Sequence, residues 1–161
     1  MGTPRILQSG VVDVQCGEQV TIIAPANLYG CVLGDQVFVG PFVEIQKHAE
    51  IGARTRIQSH SFICEYVSIG ADCFIGHGVM FANDMFREGR PDPDPQHWAR
   101  IHIGNRVSIG SNATILAVSI CDGAVIGAGS VVTHDISVPG VYAGNPARLL
   151  RNLPSSALPP T

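Results

Sequence analysis

Starting at Leu33, every sixth residue is large and apolar: Val39, Ile45, Ile51, Ile57, Ile63, Ile69, Ile75 and Phe81 follow without a miss. The residues two before each are small or β-branched, running Cys31, Val37, Val43, Ala49, Thr55, Ser61, Val67, Cys73 and Val79. A helix would place positions i and i+6 on opposite sides, so the spacing excludes helical packing. It suits a short strand with two inward positions followed by a tight turn, with Gly or another φ-permissive residue at the corner. Gly34, Gly40, Gly52, Gly70 and Gly76, each directly after a large residue, are the expected corners. Repeated, the unit gives a coil with a continuous aliphatic stack, a quasi-one-dimensional solenoid. The frame resumes at Ile103, Ile109 and Ile115, then steps five to Ile120 before Ile126 and Val132. One residue is therefore missing near Leu116 to Ser119, where a tighter corner is expected. Before Leu33 the step survives one residue out of register, at Val14, Val20, Ala26 and Val32.

The 161 residues fit one domain, with 45% hydrophobic residues to fill a core and only 14% charged. Aromatic residues are 6%, so that core is aliphatic. Ten basic against thirteen acidic side chains give a net charge of −3, which argues against a nucleic-acid partner. No apolar run approaches the roughly 20 residues that span a bilayer, and residues 1–12 lack a signal-peptide core, so no membrane partner is expected. Five cysteines, odd in number and without a CxxC pair, point to a reduced, cytoplasmic protein. Cys31 and Cys73 sit at the small inward position and read as buried fillers.

With three six-residue sides per coil, residues 18 apart lie above one another. One corner then collects Asp35, Ala53 and Ala71 beside Gln36, Arg54 and Asp72, with Arg54 and Asp72 as a solvated ion pair. A second stacks Pro41, Ser59 and His77 beside Phe42, His60 and Gly78. The third stacks Lys47, Glu65 and Asn83 beside His48, Tyr66 and Asp84, and the repeat breaks there. From Asn83 to about Arg100 there is no hexad, and RPDPDP (Arg90 to Pro95) reads as an extended, solvated loop. A loop of this length in a compact chain is usually functional. Arg87, Arg90 and Arg100 suit phosphates and Trp98 suits a base; Glu65 under Asn83 reads as a solvated corner carboxylate.

The hexad pattern resembles that of the hexapeptide-repeat acyltransferases over roughly residues 14 to 150. The resemblance implies an all-β fold, a left-handed parallel β-helix; general crossover rules alone favour the right hand. One domain is expected over 1–161, with regular repeats at about 14–81 and 101–138, a long loop at about 83–100 and a short C-terminal tail at 139–161. It also implies a homotrimer with sites at subunit interfaces. VFVGPFVEIQ (Val37 to Gln46), RIQSHSFICE (Arg56 to Glu65) and FIGHGVMFAND (Phe74 to Asp84) look like the branch that N-acetylates nucleotide-linked 3-amino sugars. GAVIGAGSVVTHDI (Gly123 to Ile136) and AGNPARLL (Ala143 to Leu150) resemble the wider superfamily.

By that resemblance Asn83 is the catalytic residue beside the acceptor amine, and Gln46, Gln58, His60, His77, Asp84 and Arg87 contact the sugar nucleotide. Ala128, Gly129, Asn145, Pro146 and Arg148 line the acetyl-CoA groove, and His134 stands where a CoA-binding Lys is usual. No metal is expected. The implied reaction is acetyl transfer from acetyl-CoA to the 3-amino group of a UDP- or dTDP-linked sugar for a surface polysaccharide. The loop reads NDMFREGRP where the branch has N-D-x-x-P-R, so the contacts after Asp84 are this chain's own. The chain has no His-Pro pair of the kind O-acetyltransferases place after this segment, which favours an amine over a hydroxyl acceptor. A 4-amino sugar or a hydroxyl remains an alternative acceptor. The rival of another class is a γ-type carbonic anhydrase, for which His77, His97 and His102 are the ligand types. A non-enzymatic solenoid scaffold is a further rival.

Overall fold

In a computed structural model, which describes residues 10–154, the chain is a parallel β-solenoid of short strands stacked into three sheets. It is a left-handed β-helix. The first face carries Val11–Val12, Asn27–Tyr29, Glu44–Ile45, Phe62–Ile63, Met80–Phe81, Thr114–Ile115 and Val131–Val132. The second carries Gln15–Cys16, Val32–Leu33, Glu50–Ile51, Val67–Ile69, Ile101–Ile103 and Ser119–Ile120. The third carries Thr21–Ile22, Phe38–Val39, Arg56–Ile57, Phe74–Ile75, Ser108–Ile109, Val125–Ile126, Gly140–Ala143 and Arg148–Asn152. No helix among the described residues is long and apolar enough to cross a membrane.

Register follows the hexad. Glu44 pairs with Phe62 and Arg56 with Phe74, both 18 residues apart. Pairing tightens to 17 where the sequence drops a residue, as in His102 with Ser119 and Asn27 with Glu44. The frame shift before Leu33 is thus a second shortened corner, turned by Gly30 at φ 58°. The large residue of each hexad points inward, and Leu33, Ile45, Ile57, Ile63, Ile75, Ile109 and Ile115 are all essentially inaccessible. Burying each such side chain stabilises by about 1.5–3 kcal/mol, far more than exposed ion pairs supply. Thr55 and Ser61 occupy small inward positions because their hydroxyls donate to the carbonyls of Gly70 and Gly76, at 2.8 Å each.

Two expectations need correcting. The glycines after each large residue are not the left-handed corners. That conformation falls two residues later, on Gln36, Phe42, Arg54, Asp72 and Gly78, and equally on His60, two after Gln58 (φ 58–65°). The glycines serve close approach between coils: a Cβ on Gly52 would lie 2.5 Å from the Gly70 carbonyl carbon. Nor is the segment from residue 139 a mere tail. Gly140–Ala143 extends the third face in parallel with Val125–Ile126, and Arg148–Asn152 folds back antiparallel onto it. A hairpin caps that end, which the hexad frame could not reveal because the antiparallel return has no six-residue period.

The break lies between Met80–Phe81 and Ile101–Ile103, at the edge joining the first and second faces. Val67 pairs with Ile101, 34 residues on, so the excursion adds 16 residues to one coil and the solenoid resumes in register. The loop is not wholly extended, since Pro95–His97 form a 3₁₀ turn capped by the Asp94 carboxylate, which accepts from the Gln96 amide at 2.9 Å.

Candidate active site

The corner columns expected from the 18-residue spacing are present. Arg54 meets Asp72 through two hydrogen bonds at 2.6 and 2.7 Å. Ser59 Oγ lies 2.9 Å from His77 Nδ1. His60 stacks on Phe42 and Tyr66 on His48, ring centroids 4.9 and 5.2 Å apart. On the first–second edge, Asn83 Nδ2 donates to the Glu65 carbonyl at 2.8 Å, and Lys47 Nζ lies 3.6 Å from Glu65 Oε1.

That bond decides how Asn83 presents itself. The residue is 8% exposed and lines a cavity; one Nδ2 hydrogen goes to Glu65, which orients the amide and leaves Oδ1 as an acceptor beside the second Nδ2 hydrogen. The cavity, about 270 Å³, is bounded by Asn83, Asp84, Met85, Arg87, Glu88, Asp92, His97 and Ala99. Asp84 organises its far wall: its carboxylate accepts from the Phe86 amide at 2.9 Å and the Asp92 amide at 2.8 Å. Asp92 in turn accepts from the Asp94 amide at 3.0 Å and meets His97 Nδ1 at 3.1 Å. The Asp94 amide first, then His97, holds the Asp92 carboxyl below the usual carboxylate range. Trp98 Nε1 donates to the Asp92 carbonyl at 2.9 Å. The loop is thus tied by carboxylates accepting from backbone amides, a substitute for the sheet bonds it lacks.

Glu65 departs from its expected solvated state. It is 7% exposed, and among the described residues its Oε2 is the buried side-chain oxygen without a hydrogen-bond partner. Beneath it, burial and then the charges of Glu44 and Glu65 push the Tyr29 phenol up. Cys64, buried beside the same corner, has its thiol pushed up to about 12 by desolvation, which suits an inert filler.

The structure divides the residues expected at the site. Asn83, Asp84 and Arg87 share the cavity, whereas Gln46, on the same edge, bonds Glu44 at 2.9 Å and does not line it. Gln58, His60 and His77 lie on the edge joining the third and first faces, with Ala128, Gly129 and the segment Asn145, Pro146 and Arg148 that follows Gly140–Ala143. The first face separates the two groups. Met85, Glu88, Asp92 and Ala99 line the cavity without sequence forewarning, since a loop outside the repeat has no spacing to read. Of the metal-ligand types considered, His77 is on the third–first edge, His97 in the loop and His102 on the outside of the second face, so one chain does not gather them.

The architecture is thus a parallel β-solenoid interrupted by one long loop with a cavity at its base. The model described as bacterial transferase hexapeptide (six repeats) matches residues 30–65, and that described as hexapeptide repeat of succinyl-transferase matches 66–80 and 100–134. The chain belongs to the hexapeptide-repeat acyltransferase superfamily. A bifunctional protein GlmU from Rubrobacter xylanophilus is 35% identical over 79% of the chain. The chain spans 25% of that relative's length and 37% of a GlmU from Streptococcus uberis, to which it is 28% identical. Among solved structures, the hexapeptide-repeat acetyltransferase VCA0836 of Vibrio cholerae, complexed with acetyl-CoA, superposes with TM-score 0.66 at 25% identity, covering 78% of this chain and 72% of the other. A galactoside acetyltransferase in complex with coenzyme A gives 0.64 at 28%, covering 90% and 67%.

Proposed function

We propose that the protein transfers acetyl from acetyl-CoA to the amino group of a nucleotide-linked amino sugar, with Asn83 orienting the amine. The 3-amino position is the favoured acceptor, on the motif resemblance around Asn83. The carrying observation is the Asn83 amide, whose Nδ2 is fixed by the Glu65 carbonyl and whose Oδ1 is left to accept from an N–H donor in the cavity. Acyl transfer to an amine needs a neutral nucleophile, placement and stabilisation of the tetrahedral oxygen. The amine nitrogen attacks the thioester carbonyl carbon, the C–S bond breaks, and the departing thiolate takes the proton the nitrogen releases. A sugar amine is less basic than an alkyl amine, so no strong base is required. A hydroxyl acceptor would need one, and the cavity does hold an imidazole, His97, whose Nδ1 is on the Asp92 carboxylate in the manner of an oriented base, so hydroxylated sugars belong in the test.

The division of expected residues between two edges supports a shared site. With the acetyl-CoA residues around Gly129 and Arg148 on the third–first edge, a second copy of the chain must bring that edge to Asn83. A cytoplasmic homotrimer, with acceptor residues from one subunit and cofactor residues from its neighbour, meets that need. Mass spectrometry of UDP- and dTDP-linked 3- and 4-amino sugars, incubated with protein and acetyl-CoA, tests the reaction. Gain of one acetyl on a 3-amino sugar supports the reading; gain only on hydroxylated sugars transfers it to O-acetylation. Co-expression of Asn83→Ala with Arg148→Ala tests sharing, because mixed assemblies should recover activity that each variant lacks alone.

A further inference from the structure

Along Gln96 to Arg100 the side chains alternate. His97 and Ala99 face the Asn83 cavity, while Gln96, Trp98 and Arg100 face a second cavity of about 210 Å³ closed by Tyr66 and Pro95. The segment is a wall between two compartments, one richer in carboxylates and one in planar groups. The Asn83 side carries the carboxylates of Asp84, Glu88 and Asp92 with the Arg87 guanidinium and the His97 imidazole. The other side carries planar groups and a cation. The Trp98 ring is held by its bond to the Asp92 carbonyl, and the Tyr66 ring lies on His48 at 11° between planes. Arg100 sits over Tyr66, its guanidinium carbon 5.2 Å from the ring centroid, and makes no ion pair among the described residues.

We infer that this second cavity is the nucleotide subsite, with the base stacked on Trp98, the diphosphate at Arg100, and the sugar passing the wall to Asn83. This inference rests on the nucleotide-sugar reading above and adds where the nucleotide binds. Aromatic faces bind bases because every base offers a π-face, and a guanidinium matches phosphate oxygens. Gln96 supplies an amide donor and acceptor for a base edge. Three carboxylates against Arg87 leave the Asn83 cavity on balance acidic, which suits an amine better than a diphosphate.

The chain has one tryptophan, so its fluorescence reports on Trp98 alone. Titration with UDP and dTDP should quench it saturably, and calorimetry with Trp98→Ala and with Arg100→Ala should each show at least tenfold weaker nucleotide binding. Trp98→Phe should bind nearly as the parent does. Absence of quenching, or equal nucleotide affinity in Trp98→Ala, overturns the inference. Quenching by 3′,5′-ADP and not by UDP or dTDP also overturns it, by giving the cavity to the adenine end of CoA. A protein that acetylates a nucleotide-linked amino sugar without such quenching keeps the reaction and loses the subsite. One that shows the quenching but acetylates no amino sugar keeps the subsite and loses the reaction.

Discussion

Two edges of the same solenoid, built from the same hexad, carry different chemistry. On the edge between the second and third faces, the carboxylates find partners one coil away. Arg54 clasps Asp72, and Asp122 accepts from the Asn105 amide and side chain at 2.8 and 3.2 Å with Arg106 at 3.4 Å. Asp35 accepts from the Glu18 amide at 2.8 Å. These bonds turn inward on the protein. On the edge between the first and second faces, Asn83 keeps an acceptor free, Glu65 keeps a buried oxygen unpartnered, and a loop of carboxylate-tied backbone encloses a cavity. Periodic stacking gives stability by aliphatic burial, and its edge carboxylates are satisfied within the protein. The candidate site lies where the period stops and that satisfaction is incomplete.

Substitutions can break the comparison at different depths. Ile57→Asp removes both edges at once, since an unpaired carboxylate at a fully inaccessible position costs several kcal/mol and cannot be accommodated by the stack. Circular dichroism should show loss of the folded state. Asn83→Ala should separate the edges: turnover falls by about 100-fold through misplacement of the acceptor, while the melting transition moves little, because one hydrogen bond contributes about 1 kcal/mol. Steady-state kinetics beside a thermal melt would show this, and an unfolded or fully active variant would count against the site.

Smaller changes sharpen the contrast. Asp84→Ala takes the acceptor from two loop amides and should raise the substrate KM about tenfold or more while leaving the solenoid's melt nearly unchanged. Acid should loosen the loop before the coils. The Asp92 carboxyl is held low by the Asp94 amide, so its contribution is intact above the ordinary value of about 3.9 and is lost as pH falls through its lowered one. Trp98 fluorescence should therefore be flat from neutral pH to about 4 and change only below. Least of all, Arg54→Ala on the self-paired edge should leave both activity and melting essentially untouched, because that pair is solvated.

Much of the solenoid was legible because each inward residue announces itself at a fixed spacing. Ile45 and Ile63 in contact across 18 residues, and Asn83 above Glu65, follow from that arithmetic. The terminal hairpin and the role of the glycines did not, since antiparallel return and coil-to-coil clearance leave no period behind. The place of Asn83 above Glu65 at the break was visible through its column. Glu88, Asp92 and Ala99 were not, because a loop is set by where its backbone amides find acceptors, and Asp84 reaching the Asp92 amide is a contact across eight residues with no rule of spacing. The chain alone determines a three-sided coil, since hydrophobic burial is repetitive and local in pattern. Only the tertiary structure decides which amide oxygen stays free and which side of the loop wall each residue faces, because those follow from hydrogen-bond closure in three dimensions.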